Sequence, residues 1–350
     1  MKVLILKPSS LGDVVQALPV ARLIRAHRPD AAIDWFLNRE LAPLLEGDPD
    51  VRRIVPFDRK GWVGPLGWPE AWATVRDLRT RAYDWVVDLQ SLARTGSIAW
   101  LANGGFTIGL DDTREGASGF YDVAVARPSP TTHAVDWYLE VLRHLGVPVH
   151  RRFEWLPIRE NAAATVRARC SEPGTRWIGL QPGARWLNKR WPTEHFAALA
   201  QRLAEDPSLR IVVFGGRDDA ALAAPIAAAV PGRIHNLCGR IGLPELVEWL
   251  RVCSVLVTND TGPMHIAAAL GTPVVAPFGP TAAERTGPYG QLDSVLRVSL
   301  PCAPCLKPTC RLGEPMACLR RIGPEWVHGE VRRRLDGPRS GQSCPAVAGA

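Results

Sequence analysis

The stretch MKVLILKPSSLGDVVQALPVARLIRA, residues 1–26, decides the fold class. Its apolar run Val3–Leu6 is continuous and bounded by polar residues, which is typical of a strand buried on both faces of a parallel sheet. The polar loop KPSSLGD follows, and Val14–Ala26 then has the apolar spacing of a helix. A strand, a short loop and a helix in this order predict one βα unit of an α/β fold.

The same alternation continues along the chain and restarts after a softer region at 147–157. Strands are predicted over 3–6, 32–37, 51–56, 85–89, 106–109, 177–180, 210–214, 255–258 and 273–278. We therefore predict two Rossmann-like parallel-sheet domains, residues 1–155 and 156–335, facing across a cleft. A last helix over 326–335 could pack back on the first domain, and the Gly-, Pro- and Ser-rich residues 336–350 are predicted to form a disordered tail.

Composition limits the class of protein. Of 350 residues, 46% are apolar and 22% are charged, which excludes a disordered, collagenous or coiled-coil chain. No apolar run reaches the roughly 18 residues of a membrane span, and the first run is too short for a signal peptide, so we expect a cytoplasmic protein. A net charge of +7 favours anionic partners. The cations interleave with 35 acidic residues and no nucleic-acid motif occurs, so nucleic acid is not an expected partner.

Ligands of open α/β sheets bind beyond the carboxyl ends of the strands, so the loops after strands are the places to search. In the first of these loops, Gly12 permits a close approach of backbone to ligand. Asp13 begins the following helix. It is either a carboxylate that favours the helix dipole or a general base that takes a proton from an incoming hydroxyl.

A second candidate loop is NDTGPMH, residues 259–265, between a strand and a helix. The free backbone N–H groups of a helix N-terminus form a natural phosphate site. Thr261 adds a hydroxyl and Gly262 a bare backbone, whereas Asp260 is suited to sugar hydroxyls or to orienting the loop. The alternative is a capped helix with Pro263 in its first turn.

Two further loops follow strands of the second half. PGARWLNKRWP, residues 182–192, places three cations among two tryptophans and predicts an anion or nucleotide loop. Lys189 is a compact charge suited to phosphate, and the alternative is a solvated basic loop. In GGRDD, residues 215–219, Asp219 could accept hydrogen bonds from ribose hydroxyls.

Four cysteines, Cys302, Cys305, Cys310 and Cys318, lie within 17 residues near the C-terminus. Their spacing is compatible with a structural zinc, with disulfides or with free thiols, and spacing rules do not separate the three. No D-x-D motif lies near the candidate loops.

Several of these stretches resemble glycosyltransferase family nine, the ADP-heptose:lipopolysaccharide heptosyltransferases. They are LKPSSLGDVVQALPV (6–20), PGARWLNKRWP (182–192), FGGRDD (214–219), TNDTGPMHIAAALGTPVVAPFGPT (258–281) and the cysteine-rich ending that leads to IGPEWV (322–327). The segment GLDDTREGAS (109–118) is similar to one in heptosyltransferase I of that family.

The resemblance implies a GT-B fold whose N-terminal domain takes the acceptor and whose C-terminal domain takes the nucleotide sugar. It implies an inverting, metal-independent transfer of heptose from ADP-heptose to the Kdo-bearing inner core of lipid A, with no cofactor. Asp13 is then the catalytic base. The implied donor contacts are Ala184, Arg185, Lys189, Asp219, Asp260, Thr261, Gly262, Met264 and His265. Asp219 stands where the family usually has Glu, and Ala184 and Arg185 stand where heptosyltransferase I often has two Thr.

The acceptor carries carboxylates and phosphates, so cations of the N-terminal half are its candidate contacts. The expected acceptor residues are Lys7, Ser10, Gly12, Arg59, Lys60, Arg94 and Arg114. Arg59 and Lys60 adjoin the loop GWVGPLGW (61–68), which could rest on an anionic membrane surface at the inner face of the inner membrane or be an ordinary exposed loop. Rival functions are a family-nine transferase for a later heptose or another sugar, and a non-catalytic protein that binds nucleotide sugar or nucleic acid.

Overall fold

The computed structural model describes residues 1–58, 61–62, 64–112, 115–170 and 174–337. The chain divides into two compact units after Pro157, two residues beyond the expected boundary at 155. Arg59, Lys60, Arg114 and nearly all of the expected tail lie outside the described residues. None of the helices within those ranges has the length and apolarity that a membrane span needs.

The first unit contains a six-stranded parallel sheet in the order β3-β2-β1-β4-β5-β6. Its strands are β1 (Lys2–Leu6), β2 (Ala32–Asn38), β3 (Arg53–Phe57), β4 (Trp85–Asp88), β5 (Phe106–Leu110) and β6 (Val123–Val125). Its helices are α1 (Leu11–His27), α2 (Ala42–Leu45), α3 (Trp68–Thr80), α4 (Ala93–Ala102) and α5 (Ala134–His144). The strand order reverses between β1 and β4, which is where Rossmann-like sheets bind ligands.

The central strand β1 explains why the first apolar run is continuous. Val3, Leu4, Ile5 and Leu6 are all fully buried. Both faces of the strand are therefore covered, as in other parallel sheets. Leu6 pairs with Asp88 at the end of β4, so the loops that follow these two strands start side by side.

The second unit repeats this architecture, with the strand order β12-β11-β10-β7-β8-β9 and every pair parallel. Its strands are β7 (Arg176–Gln181), β8 (Leu209–Val213), β9 (Ile234–Asn236), β10 (Val255–Thr258), β11 (Val274–Pro277) and β12 (Val295–Leu296). Its helices are α6 (Glu160–Arg169), α7 (Thr193–Ala204), α8 (Ala220–Ala229), α9 (Leu243–Val252), α10 (Gly262–Ala269), α11 (Ala283–Thr286), α12 (Ala317–Arg320) and α13 (Pro324–Asp336).

The sheets confirm the predicted fold class and all nine predicted strands, to within one or two residues at their ends. The short edge strands β6, β9 and β12 were not predicted. Val327 and Val331 of α13 lie in the core of the second unit.

Candidate active site

Asp13 stands in the first turn of α1, held by the loop that precedes the helix. The backbone N–H and the hydroxyl of Ser10 both donate to Oδ2 of Asp13, at 2.9 and 2.5 Å. Hydrogen bonds to a carboxylate and the positive end of a helix dipole both favour its ionised form. The side chain is therefore oriented, which is compatible with a helix cap and with a general base.

Lys7 lies behind this loop and is only 4% exposed. Its Nζ donates to the carbonyl of Leu89 at 2.7 Å and stands 5.0 Å from the centroid of the Tyr138 ring. Burial alone would lower the pKa of Lys7, but the phenol of Tyr138 and the carboxylates of Asp13 and Asp88 raise it above its ordinary value. The ammonium of Lys7 is therefore buried and hydrogen-bonded within the fold, and its expected contact with the acceptor stays a prediction.

A buried polar cluster at the end of β4 supports the same loop and was not assigned a role from the sequence. Asp88 accepts the N–H groups of Gln90 and Ser91 at 2.8 and 3.1 Å and the hydroxyl of Tyr121 at 2.7 Å. Burial raises the pKa of Asp88 despite these bonds. The cluster fixes the turn that carries the carbonyl to which Lys7 donates. The polar end of this strand was the available signal, but its partner Tyr121 is far away in sequence.

The remaining acceptor candidates that the structure describes differ in exposure. Gly12 is buried in the first turn of α1, and Arg94 is exposed in the first turn of α4. The backbone N–H of Ala93, at the start of α4, donates to Oε2 of Glu115 at 3.0 Å. Glu115 therefore ties the segment 109–118 to a helix N-terminus.

In the second unit, three side chains converge because β11, β10 and β7 are neighbours in the sheet. Lys189 Nζ donates to Oδ2 of Asp260 at 2.7 Å, and the hydroxyl of Thr281 donates to the same oxygen at 2.7 Å. Lys189 also stands 4.9 Å from the centroid of the Trp186 ring, and its side chain is 20% exposed. The ammonium is held in place but keeps an open side, as a phosphate-binding cation requires.

Asn259 fixes the two loops that carry these residues. Its side-chain oxygen accepts the N–H of Trp191 at 2.9 Å, and its amide donates to the carbonyl of Pro182 at 2.8 Å. Asn259 is fully buried. The loop after β7 and the loop after β10 are therefore joined by one side chain, and Lys189 and Asp260 are positioned together.

Helix α10 begins directly beside this cluster. Thr261 is its N-cap residue in extended backbone, and its hydroxyl makes no capping bond to the helix. Gly262 is the first helical residue, and His265 in the first turn is 9% exposed. Met264 is fully buried and its N–H donates to the carbonyl of Thr261, and its expected contact with the donor stays a prediction. The free N–H groups of this helix start face the loop side of the sheet.

The other donor candidates differ in exposure. Ala184 is buried and its carbonyl accepts from Arg190 at 2.8 Å, whereas Arg185 is exposed. Oδ2 of Asp219 accepts the N–H of Gly216 at 3.0 Å. A Cβ on Gly183 would collide with the carboxylate of Asp219, so this glycine is what lets the loops after β7 and β8 approach.

The cysteines of the described ranges are all free thiols. Within those ranges, no three His, Cys, Asp or Glu side chains already stand in a metal-binding arrangement. The disulfide alternative for Cys302, Cys305, Cys310 and Cys318 is therefore not what the structure contains.

Two Rossmann-like units, one with an oriented carboxylate and one with a cation beside a helix N-terminus, form an arrangement that suits a glycosyltransferase. The model of glycosyltransferase family 9 (heptosyltransferase) matches residues 71–315, more than half of the chain. The chain belongs to this family and is a glycosyltransferase.

Individual relatives agree with this assignment. Lipopolysaccharide heptosyltransferase 1 of Pseudomonas aeruginosa is 28% identical over 369 aligned positions, covering 97% of this chain and 99% of the relative. Lipopolysaccharide heptosyltransferase 2 of Salmonella typhimurium is 29% identical over 312 positions, covering 85% and 88%.

Solved structures match over both units. ADP-heptose LPS heptosyltransferase II of E. coli superposes with a TM-score of 0.76 at 26% identity, covering 96% of this chain and 98% of that one. The E. coli heptosyltransferase WaaC with ADP gives 0.74 at 25% identity, covering 95% and 100%. The GT-B fold class that the resemblance implied is thus confirmed.

Proposed function

We propose that this enzyme transfers L-glycero-D-manno-heptose from ADP-heptose to the Kdo-bearing inner core of lipid A in lipopolysaccharide biosynthesis. The observation that carries the proposal is the position of Lys189, an ammonium held by Asp260 at the start of α10. A cation and a row of free N–H groups suit the diphosphate of a nucleotide sugar. The N-terminal unit would take the acceptor and the C-terminal unit the donor.

The reaction is a single displacement. Asp13 accepts the proton of an acceptor hydroxyl as the oxygen attacks the anomeric carbon of the donor. The bond from that carbon to the diphosphate oxygen breaks, and ADP leaves with the bonding electron pair. Lys189 and the N–H groups at the start of α10 stabilise the charge that develops on the diphosphate, so the step needs no metal. One displacement inverts the configuration.

The choice of the first heptose position rests on one support. The segment 109–118 resembles heptosyltransferase I. Identities of 28% and 29% do not separate the two specificities. Addition of a second heptose is therefore the alternative, with an acceptor that already carries one.

We also propose that the N-terminal unit rests on the anionic inner face of the inner membrane. Leu66, Trp68 and Trp72, at the start of α3, are 97%, 65% and 67% exposed. Tryptophan rings suit the boundary between headgroups and acyl chains. Arg76 and Arg79 are exposed further along the same helix and would meet the negative headgroups.

The test is ADP release from ADP-heptose in the presence of Kdo-lipid A, with an acceptor-free control. Release that depends on the acceptor supports the proposal. If ADP binds but no release occurs, the acceptor assignment is wrong, and a heptose-bearing acceptor in the same assay tests the alternative. Co-sedimentation with vesicles of anionic and of neutral lipid tests the membrane contact, using Trp68→Ala with Trp72→Ala. Equal sedimentation of this double variant and the unaltered protein would refute it.

A further inference from the structure

Among the residues that the structure describes, three buried side-chain amide oxygens have no hydrogen-bond partner, those of Gln90, Gln181 and Asn188. Buried polar groups rarely lack a partner, because an unused one destabilises the fold. Gln181 ends β7, Asn188 lies in the loop that follows, and Gln90 lies in the loop after β4. All three oxygens therefore belong to the carboxyl ends of central strands, where α/β sheets bind ligands.

Another buried glutamine of the second unit shows how this fold uses an amide as a structural link. The oxygen of Gln291 accepts the N–H of Val274 at 2.9 Å, and its nitrogen donates to the carbonyl of Thr272 at 3.0 Å. Asn259 likewise uses both ends of its amide. Gln181 is only 4% exposed, yet its oxygen has no partner anywhere in the described part of the chain. A structural link therefore does not explain this side chain.

Gln181 lies where both loops of the Lys189 cluster begin. It is the last residue of β7 and pairs with Thr258, the last residue of β10. The chain continues from these two residues into the loops that carry Lys189 and Asp260. We propose that the side-chain oxygen of Gln181 accepts a hydrogen bond from a sugar hydroxyl of the bound donor, an inference that rests on the proposed function. An amide oxygen only accepts, so it suits the O–H groups of ribose or heptose and not the phosphate oxygens.

A role in substrate binding and a role in the fold predict opposite effects on stability. Gln181→Met keeps the length of the side chain and removes its polar atoms. Because an unused buried acceptor destabilises the free protein, this variant should unfold at the same temperature as the unaltered protein or at a higher one. Gln291→Met, the matched control, leaves the N–H of Val274 and the carbonyl of Thr272 without their partner, so it should unfold at a lower temperature.

The test is calorimetric titration of the unaltered protein and both variants with ADP-heptose in the absence of acceptor, together with thermal unfolding of each. Gln181→Met should bind ADP-heptose about fivefold more weakly, the scale of one lost neutral hydrogen bond. Folded Gln291→Met should bind it as the unaltered protein does. An unchanged affinity in Gln181→Met would overturn the proposal, and so would an unfolding temperature lowered as far as that of Gln291→Met.

Titrations with two further nucleotides distinguish the sources of the hydroxyl. A loss of affinity seen with ADP-heptose and not with ADP assigns the hydrogen bond to heptose. A loss of affinity seen also with ADP and with inosine diphosphate, which has no adenine amino group, assigns it to ribose. A loss seen with ADP but not with inosine diphosphate would overturn the hydroxyl assignment. Failure of the proposed function would appear in the unaltered protein, as an inability to bind ADP-heptose, whereas failure of this inference appears only in the variant.

Discussion

The loop after β1 and the loop after β7 each place a lysine near a carboxylate, but the two pairs differ in which partner is buried. Each follows a central strand and brings a lysine close to a carboxylate: Lys7 with Asp13, and Lys189 with Asp260. In each, a hydroxyl also donates to that carboxylate, from Ser10 in one case and Thr281 in the other. The two lysines differ in burial, since Lys7 is almost fully buried and Lys189 is partly exposed.

Burial decides which partner of each pair remains available to a substrate. In the first loop the ammonium of Lys7 is covered, with Asp13 close to it at the start of α1. In the second loop the carboxylate of Asp260 is the more buried partner, with 8% of its side chain exposed. The ammonium of Lys189 is the partner that a substrate can reach. Under the proposed function, the same pair would support a base in one unit and an anion site in the other.

The largest expected effect comes from removing the base. Asp13→Asn keeps the size of the side chain and can still accept from Ser10, but it cannot take a proton. Turnover should fall by about 10²-fold or more while ADP affinity persists, because base catalysis contributes on that scale. Steady-state ADP release and calorimetry with ADP measure the two effects.

Asp136→Asn is the matched control, since Asp136 lies in the first turn of α5, as Asp13 does in α1. A helix-dipole role predicts similar, small effects in both variants. If Asp13→Asn turns over as fast as Asp136→Asn, Asp13 is a cap and not the base.

The next prediction concerns Lys189, the partly exposed lysine. Lys189→Met should weaken ADP binding by about tenfold or more, since a charged hydrogen bond to a phosphate is worth about 1.5–3 kcal/mol. Calorimetric titration with ADP measures this affinity, and Lys307→Met, an exposed lysine of the same unit, is the control. An affinity unchanged from that of the control would remove Lys189 from the donor site.

The difference in burial between Lys7 and Lys189 could not be predicted from the sequence. Continuous apolar runs such as Val3–Leu6 predict buried parallel strands, so both sheets followed from local pattern. In the sequence, Lys7 looks like one more polar loop residue after β1. Its burial could not be predicted because Tyr138, which packs over its ammonium, lies far along the chain on α5. The short edge strands carry no apolar run long enough to recognise.

The donor cluster illustrates the same limit. Lys189 and Asp260 were each predicted to lie in a ligand loop, but their contact depends on β7 lying beside β10. No local pattern marks Thr281, since its contact with Asp260 requires β11 on the other side of β10. Strand order is a long-range property, and a single sequence reports it only through resemblance.

A third prediction concerns the buried lysine. Lys7→Met removes a positive charge near Asp13, so the pKa of that carboxyl should rise. Since the base must be ionised, the acid limb of the kcat/KM profile should move to higher pH by about one unit. Lys2→Met, at the exposed start of the same strand, should leave the profile in place. Loss of stability alone would lower the amount of active enzyme without moving the limb.

The smallest effect belongs to Thr281, whose hydroxyl shares Oδ2 of Asp260 with Lys189. Thr281→Val removes one hydrogen bond at nearly constant volume, at a cost of about 1 kcal/mol. Asp260 is then less firmly oriented, and the ammonium it holds is less fixed before the donor arrives. We expect ADP affinity to fall by about fivefold, less than in Lys189→Met, with turnover at saturating donor nearly unchanged. The control is Thr286→Val on α11. The hydroxyl of Thr286 donates only a long hydrogen bond, at 3.5 Å, to the carbonyl of Ala282. A loss as large as that of Lys189→Met would mean that the hydroxyl meets the diphosphate itself, and the parallel with Ser10 and Asp13 would fail.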